Sequence, residues 1–600
     1  MSTLLRDAFR RANATLLTHP GLQPPRTTTL NARSSDAYRA ASTLIDAQSE
    51  RGEGSSQLWA VALWSATCAL GLGAFCWDGR LGDAEGREPG SDQKRQREFQ
   101  EWMRQRGADV ESVEVCESKE GGFGLCTSED VKRHSSRSVF SHALDWVLFR
   151  QSTFRMASFP LSMSICPIVA CNDDRLGPYL QTLVRHGEVD AETTAILFIM
   201  FQKLLGEDSQ WKEWVELLPK EFQVPVLYDE IALKELKGTT LHSAAIVQKN
   251  MLNTKWESLE EPCRTICSEA GISKMPTAAD FFWAGLVYWS RAVAVPNGDG
   301  RERNCVIPGL DFCNHSQEPN ARWRPPRKST KSEMMLQKTS NGQRKDFDAS
   351  MIDLVVDKRL PPADQELFIN YGDKSNEELL FSHGFTIDMN PNERLMINCP
   401  IVENSGEELL PMRLELLAMQ GLRPQFFLEG GETLEEAKRA AQKFEERRAV
   451  KGKINPKDKG LMHVFPPEIW DIMEAFVVEP KELEAKRRAV ESGVKKGRSG
   501  SKLEETGVHM AKVTTLVMLL EMKMAELEGV DGTGSLEEDI KKMEEVRKEE
   551  LEGWQWSCLV YRAEQKRLTR EWLFLARIHM QEVMVKLQWL YDAQPKTAGR

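Results

Sequence analysis

The chain has 600 residues, 79 Lys+Arg against 90 Asp+Glu for a formal net charge of −11, and a hydrophobic share of 41%. At roughly 100–200 residues per domain this predicts about three or four structural units with large buried cores, which excludes a mainly disordered protein. The acidic balance argues against nucleic acid as a general partner. The twelve cysteines, with no CxxC, are too sparse for a disulfide scaffold and read as reduced thiols of an intracellular protein.

Residues 1–45 hold six Arg, no Lys, two acids and eleven Ser/Thr. That composition fits an organellar transit peptide, with the chloroplast or another organelle as the address. It fits equally a disordered tail on a cytoplasmic or nuclear protein. Leu58 to Trp77 then runs twenty residues without a charge, just enough to span ~30 Å of hydrocarbon. A buried soluble helix is the favoured reading there, and a membrane span the less favoured one. The charged, Gly-rich stretch 78–108 reads as a linker, so 1–108 form an N-terminal targeting and linker region.

A mixed segment with a glycine turn follows, Val113 to Val131. From about 178 to 295 apolar residues recur at helical spacing, as in ETTAILFIMFQKLLGEDSQWKEWVELL and in Ala278 to Val295. β-like runs return at Cys305–Leu310, Met351–Val356 and Glu366–Tyr371, separated by a polar, basic loop at Arg324 to Ser350. Beyond about 405 helical patterns dominate. Lys486-Arg487-Arg488 and Lys495-Lys496 read as part of a solvated charged loop rather than an import signal.

Three stretches carry candidate chemistry. Gly121-Gly122-Phe123-Gly124 lacks the third glycine of a dinucleotide loop and has no GK[ST], leaving a flexible turn that lets backbone approach a ligand. GLDFCNHSQEPNARW, Gly309 to Trp323, crowds Asp311, Cys313, Asn314 and His315 together. No second Cys/His pair of ligand spacing follows, so no metal is expected. A thiol and imidazole this close in sequence also make a poor nucleophile–base pair. ELFINYGDKSNEELLFSHGF delivers Tyr371 into a glycine turn, with a Ser375/Glu378 capping box after it.

GGFGL, NHSxxPN and ELFINYG, in that order, resemble a SET-domain protein methyltransferase. The longer runs SRAVAVP, CVIPGLDFCNHS and FINYGDKSNEELLFSHGF resemble the branch that contains the Rubisco large-subunit lysine methyltransferase and the actin-histidine methyltransferase. The resemblance covers about 110–595. It implies an α+β protein: a β-rich SET domain with a pseudoknot over 109–390, interrupted by a helical insert at about 178–295, then an all-α substrate-binding domain at 400–595. The branch lacks a zinc-binding element after the tyrosine.

The resemblance also implies S-adenosyl-L-methionine as methyl donor and a protein as substrate, handled by a monomer. Gly121, Gly122, Phe123 and Gly124 would approach the donor through backbone, Arg291 would pair with its carboxylate, and Asn314 and His315 would hold its amino and adenine portions. Phe385 would pack on the adenine, and Tyr371 would orient the methyl group as the catalytic residue. Ser290, Asp311 and His383 would face the substrate. His383 stands where many lysine methyltransferases of the branch carry a second tyrosine, and Val293 where the Rubisco enzyme has an aromatic. A lysine target is expected first, a histidine target second, and an inactive SET-like scaffold third.

Overall fold

A computed structural model describes residues 91–119, 121–129, 153–296, 301–328, 350–357, 360–399, 410–451, 461–491, 501–546, 551 and 553–594. The Arg-rich N-terminus, the apolar segment 58–77 and Lys495-Lys496 lie outside the described residues. Among the described residues no helix is long and apolar enough to cross a membrane.

The first element corrects the linker expected at 78–108. Ser91–Gln105 is a helix, α1, and its Phe99, Trp102 and Met103 are buried in the first core. Those three side chains, three and one residues apart, form one apolar stripe on an otherwise charged helix. Phe99 packs on Phe312, ring centroids 5.4 Å apart, so α1 braces the segment that carries Asp311 to His315.

Next comes a hairpin, β1 (Val113–Glu117) and β2 (Phe123–Thr127), whose turn holds the glycines. Strand β3 (Thr153–Pro160) follows, then the helical insert. Within it, α2 (Ala191–Leu205) is apolar nearly all round and buried; Asp190 caps it by accepting from the Thr193 N–H at 2.7 Å. The long α3 (Thr240–Glu269) and α4 (Ala278–Arg291) complete the insert. The helical run expected to reach Val295 stops at Arg291. Val293–Pro296 instead forms β4, paired with β5 (Glu302–Cys305); β-branched Val293 and Val295 suit a strand, and Pro296 disfavours helix at the residue before it.

Asn314–His315 (β6) pairs in parallel with Phe368–Ile369 (β9). Between them in sequence, β7 (Arg322–Lys328) and β8 (Ser350–Asp357) build a three-stranded sheet ordered β3-β8-β7. Part of the loop expected at Arg324 to Ser350 is therefore strand. Residues 364–371 are held from two sides. Leu367 N–H donates to Leu125 O at 2.7 Å and Thr127 N–H to Gln365 O at 2.9 Å; on the other side Ser316 N–H donates to Ile369 O at 3.0 Å. Asn320, the second asparagine of NHSxxPN, adds both ends of its amide: Nδ2 donates to Glu366 O and Oδ1 accepts from Phe368 N–H, each at 2.8 Å. This two-sided pairing is what the expected pseudoknot requires, an exception to the tendency of chains not to thread.

Cys116 and Cys126 form a disulfide across the β1–β2 hairpin. This corrects the reading of every thiol as reduced. Cys116 lies opposite Gly124 and Cys126 opposite Glu114, so the two sulfurs are diagonal neighbours on one face, with Cα atoms 5.9 Å apart. A cross-link closing so short a loop contributes about 2–3 kcal/mol in the chain-entropy picture. Dithiothreitol should therefore lower the thermal midpoint of the wild-type chain and leave that of Cys116→Ser unmoved; equal responses would contradict a cross-link in the folded protein.

After α5 (Asn376–His383), strands β10 (Arg394–Asn398) and β11 (Gln425–Glu429) form a two-stranded sheet at the base of the helical region. Helices then continue to α6 (Lys502–Glu528) and the 40-residue α7 (Gly553–Asp592). This region has its own core, including Leu395, Phe426, Ile469, Leu520 and Trp572. Lys486, Arg487 and Arg488, expected in a loop, lie on the helix Pro480–Glu491; they pair with Glu474, Glu415 and Glu484 respectively, and Arg487 reaches Glu415 at 2.9 Å.

A third apolar cluster joins the two parts. Tyr228, Leu236 and Leu241 of the insert and Leu380 of α5 pack on Cys558 and Tyr561 of α7. Beside it, the Tyr561 hydroxyl donates to Glu377 at 2.5 Å, and Thr240 reaches the same carboxylate.

Candidate active site

The glycine turn is shaped by backbone. Ser118 N–H donates to Gly122 O at 3.0 Å, and Gly121 N–H to Ser118 O at 3.1 Å. Gly121 has φ +96° and Gly122 φ +69°, values that a side-chain-bearing residue adopts only with strain, and no described residue lies within 4 Å of where their Cβ atoms would stand. Gly124 is needed for space: a Cβ there would sit 2.3 Å from Glu366 Oε1 and 3.3 Å from Asn314 Nδ2.

Across from this loop, parallel pairing of β6 and β9 brings two remote segments together. The His315 Nδ1 accepts from the Tyr371 N–H at 3.1 Å. Burial, then the charge of Lys374, lowers the His315 pKa. The ring is thus neutral at neutral pH, and with Nδ1 accepting, its proton is on Nε2. The Tyr371 hydroxyl donates to Cys313 O at 2.9 Å. Burial, above all, raises the Tyr371 pKa against the opposing pull of Arg291, so it remains a neutral phenol whose oxygen lone pairs are free to accept. Its ring is one of four that contact in a cycle: His315 to Tyr371 5.2 Å, Tyr371 to His383 4.9 Å, His383 to Phe385 6.0 Å and His315 to Phe385 6.0 Å.

The C-terminus of α4 supplies Ser290 and Arg291. The Ser290 hydroxyl donates to Leu286 O at 2.7 Å, back along its own helix. The Arg291 Nη1 donates to Asp311 O at 2.9 Å and Oδ2 at 3.1 Å, while its buried Nε has no hydrogen-bond partner among the described residues. The Asp311 side chain is 0% exposed. It also accepts from Trp214 Nε1 at 3.0 Å and from Gly309 N–H at 2.9 Å. Burial raises the Asp311 pKa, with Arg291 and Trp214 acting against it. A carboxylate enclosed in this way does not face a substrate, which corrects the expectation for Asp311. Its geometry instead fixes the guanidinium of Arg291.

His383 is pushed down to about 3, first by burial and then by Lys374 and His315. Its folded value lies below the usual 6.5, so the stability of the neutral ring is fully present above about pH 6.5 and is lost as pH falls toward 3. His383→Phe should therefore flatten the decline in unfolding midpoint between pH 6.5 and 3 relative to wild type. Parallel curves would show that the ring does not titrate with unfolding.

The geometry brings together Gly124, Asn314, His315, Tyr371, His383 and Phe385, with Phe123 linked through its carbonyl to Asn314 Nδ2 at 3.5 Å. Sequence reasoning missed Glu366. Its Oε1 accepts from Asn314 Nδ2 at 2.7 Å and its Oε2 from the Ser118 hydroxyl at 3.1 Å. Placed at the head of a β-like run, it carried no local sign of a role. Among the described residues no group of three or more His, Cys, Asp or Glu could hold a metal ion.

No family model matches the chain. It is similar to the human actin-histidine N-methyltransferase, 24% identical over 333 residues that cover 54% of this chain and 48% of that protein. The mouse enzyme of the same name is 23% identical over the same shares. The chain thus spans about half the length of the curated relatives it matches. Among solved structures, the SET domain of LSMT bound to lysine and AdoHcy superposes with a TM-score of 0.57 at 16% identity, covering 85% of this chain and 97% of that one. Rubisco LSMT bound to AdoMet gives 0.53 at 15% identity over 84% and 97%. The chain thus has the SET-domain fold of LSMT and sequence similarity to the actin-histidine N-methyltransferases.

Proposed function

We propose that the chain is an S-adenosyl-L-methionine-dependent protein methyltransferase, acting as a monomer on a lysine ε-amine of a non-histone protein. The observation that carries this reading is the parallel β6–β9 pair, which brings the Asn314–His315 edge against the Tyr371 ring. Solved neighbours bound to AdoMet, and to AdoHcy with lysine, support it, as do curated relatives named as protein methyltransferases.

The residues present fit such a donor. Gly121 and Gly122 leave open space above bare backbone, Gly124 admits no Cβ, and the buried Nε of Arg291 lacks an acceptor that a carboxylate would supply. The donor supplies a methyl already activated on a sulfonium. What the chain must do is bind, desolvate and align. Phe385 and His315 offer ring faces for a flat base. A free lysine amine has a pKa of ~10.4 and must arrive without its proton; a low-dielectric cavity disfavours the ammonium. The Tyr371 oxygen, with its proton committed to Cys313 O, can accept from the incoming amine or from the polarised methyl. Holding nitrogen, carbon and sulfur in line can contribute ~7–11 kcal/mol.

Two observations favour a second reading, a protein histidine as target. The curated relatives are named for that reaction, and the ring beside Tyr371 is His383 in place of the second tyrosine. The experiment is radiolabel transfer into an extract, followed by mass spectrometry of the labelled peptides with and without the enzyme. Label on lysine supports the first reading and label on histidine the second. Donor binding without transfer to any protein would favour a scaffold and overturn both.

A further inference from the structure

We infer that Cys166 and Cys305 form a redox modification site, at which a hydroperoxide closes a second, reversible disulfide that locks the strand leading to Asp311. The inference is independent of the methyl-transfer reading. Both residues are thiols in the structure, 0% and 1% exposed. They stand about 140 residues apart in the chain.

Backbone register brings them together. Ile165 N–H donates to Val306 O at 2.7 Å and Val306 N–H to Ile165 O at 3.0 Å, an antiparallel pair that exchanges both bonds. The next pair along such a ladder has no cross-strand hydrogen bond and faces at a Cα separation of about 4.5 Å. That pair is Cys166 and Cys305. Cys166 is still extended, with φ −149° and ψ 167°, and Cys305 closes β5, so both side chains rise on one face of the pleat. A Cα separation of about 4.5 Å is within the range that a disulfide spans. The thiols also interact directly: hydrogen bonding with Cys305 is the first cause that lowers the Cys166 thiol. Burial raises the thiols of Cys263, Cys267, Cys313, Cys399 and Cys558, which leaves Cys166 as the better nucleophile among them.

The chemistry balances with hydrogen peroxide as oxidant. The Cys166 thiolate attacks one peroxide oxygen, the O–O bond breaks, and the departing hydroxide takes up the proton that the thiol lost. The sulfenic acid so formed is attacked by the Cys305 sulfur; its S–O bond breaks and water leaves with the Cys305 proton. Two thiols lose two electrons, and one peroxide becomes two waters. A thiol reductant reverses the bond by exchange. Peroxide is little larger than water, and Arg303 and Asn304 beside Cys305 are half-buried, so a small opening of the hairpin edge admits it.

The position gives the bond its effect. Strand β5 pairs with β4, which opens just after Arg291, and Val306 leads directly toward Asp311. The cross-link ties both arms of the Arg291–Asp311 pair to the segment ahead of the short helix Pro167–Cys171.

The test treats the folded full chain with hydrogen peroxide, blocks free thiols in denaturant, and maps the unreduced peptides by mass spectrometry. Cys166 and Cys305 should be recovered in one linked peptide that dithiothreitol separates. Recovery of either as a free thiol, as a higher oxide, or joined to another cysteine would overturn the inference. Peroxide should also raise the thermal midpoint of the wild-type chain by about 5 °C or more, since so long a loop is closed, and should not raise that of Cys305→Ala. The Cys116–Cys126 bond is present before and after treatment, so it cancels from this comparison. A linked protein with an unchanged or lower midpoint would overturn the lock. Should Cys305→Ala fail to fold, Cys166→Ala serves as the control, and the peptide map of the wild-type chain decides by itself whether the bond forms.

Discussion

Tyr371→Phe should lower methyl transfer by about 10²–10³-fold while changing the dissociation constant for S-adenosylhomocysteine by less than about threefold. The ring contacts explain the second half. Phenylalanine keeps the aromatic neighbours at His315 and His383, so the packing of the rings survives. The first half follows from the hydroxyl. Its proton is committed to Cys313 O at 2.9 Å, which leaves the oxygen's lone pairs to accept in a direction fixed by that bond. Because burial keeps it a neutral phenol, its role in the proposed reaction would be to align and stabilise rather than to abstract a proton. Single-turnover transfer of labelled methyl and calorimetry of the product analogue read the two quantities separately. A mutant that transfers normally would remove Tyr371 from the mechanism. A mutant that loses binding and transfer in proportion would make it a packing residue.

Asp539→Asn should destabilise the protein by about 3–5 kcal/mol, the usual consequence of removing one partner from a buried ionic cluster. The Asp539 side chain is 2% exposed and Lys566, bonded to it at 2.5 Å, is 0% exposed. Arg562 donates to the same carboxylate from Nε at 3.0 Å and Nη2 at 2.7 Å. Arg562 also reaches Glu235 on the helical insert, so the cluster fastens the insert to α7. Burial lowers the Lys566 pKa, and Asp539 is what opposes that fall. Without it, two cations would remain enclosed on one helix. Replacing Lys566 by Met in the same chain should recover much of the loss, since an apolar side chain carries no such penalty. Denaturant midpoints of the single and double variants measure both effects; an unchanged midpoint for Asp539→Asn would show that the cluster is solvated.

The motifs that carry the site were legible because their residue types serve local needs: glycines where backbone must be bare, a tyrosine at a strand end, a capping box that starts α5. The helical insert was legible through its spacing. What escaped were pairings made at a distance. Arg291 and Asp311 are twenty residues apart with no periodic relation, so nothing marked Asp311 as the partner that holds the guanidinium. Cys116 and Cys126 became a disulfide only through the register of a hairpin. Helix α1 read as a linker because twelve of its fifteen residues are polar or charged, and three apolar side chains are a weak signal until a core exists to receive them. Glu366 looked like any polar residue at a strand entrance, and it acquired a role through Ser118 and Asn314, 248 and 52 positions away.

The two-sided grip on residues 364–371 has a consequence for a chain still on the ribosome. The glycine hairpin and the Asn314–His315 edge are made before the strand that completes both, and the long helix that packs behind α5 is made after it. A growing chain therefore lacks the assembled site until that strand has been made and seated. Once closed, a small molecule lodged there touches segments from widely separated parts of the chain, so its presence should resist the opening of the whole domain rather than of one loop.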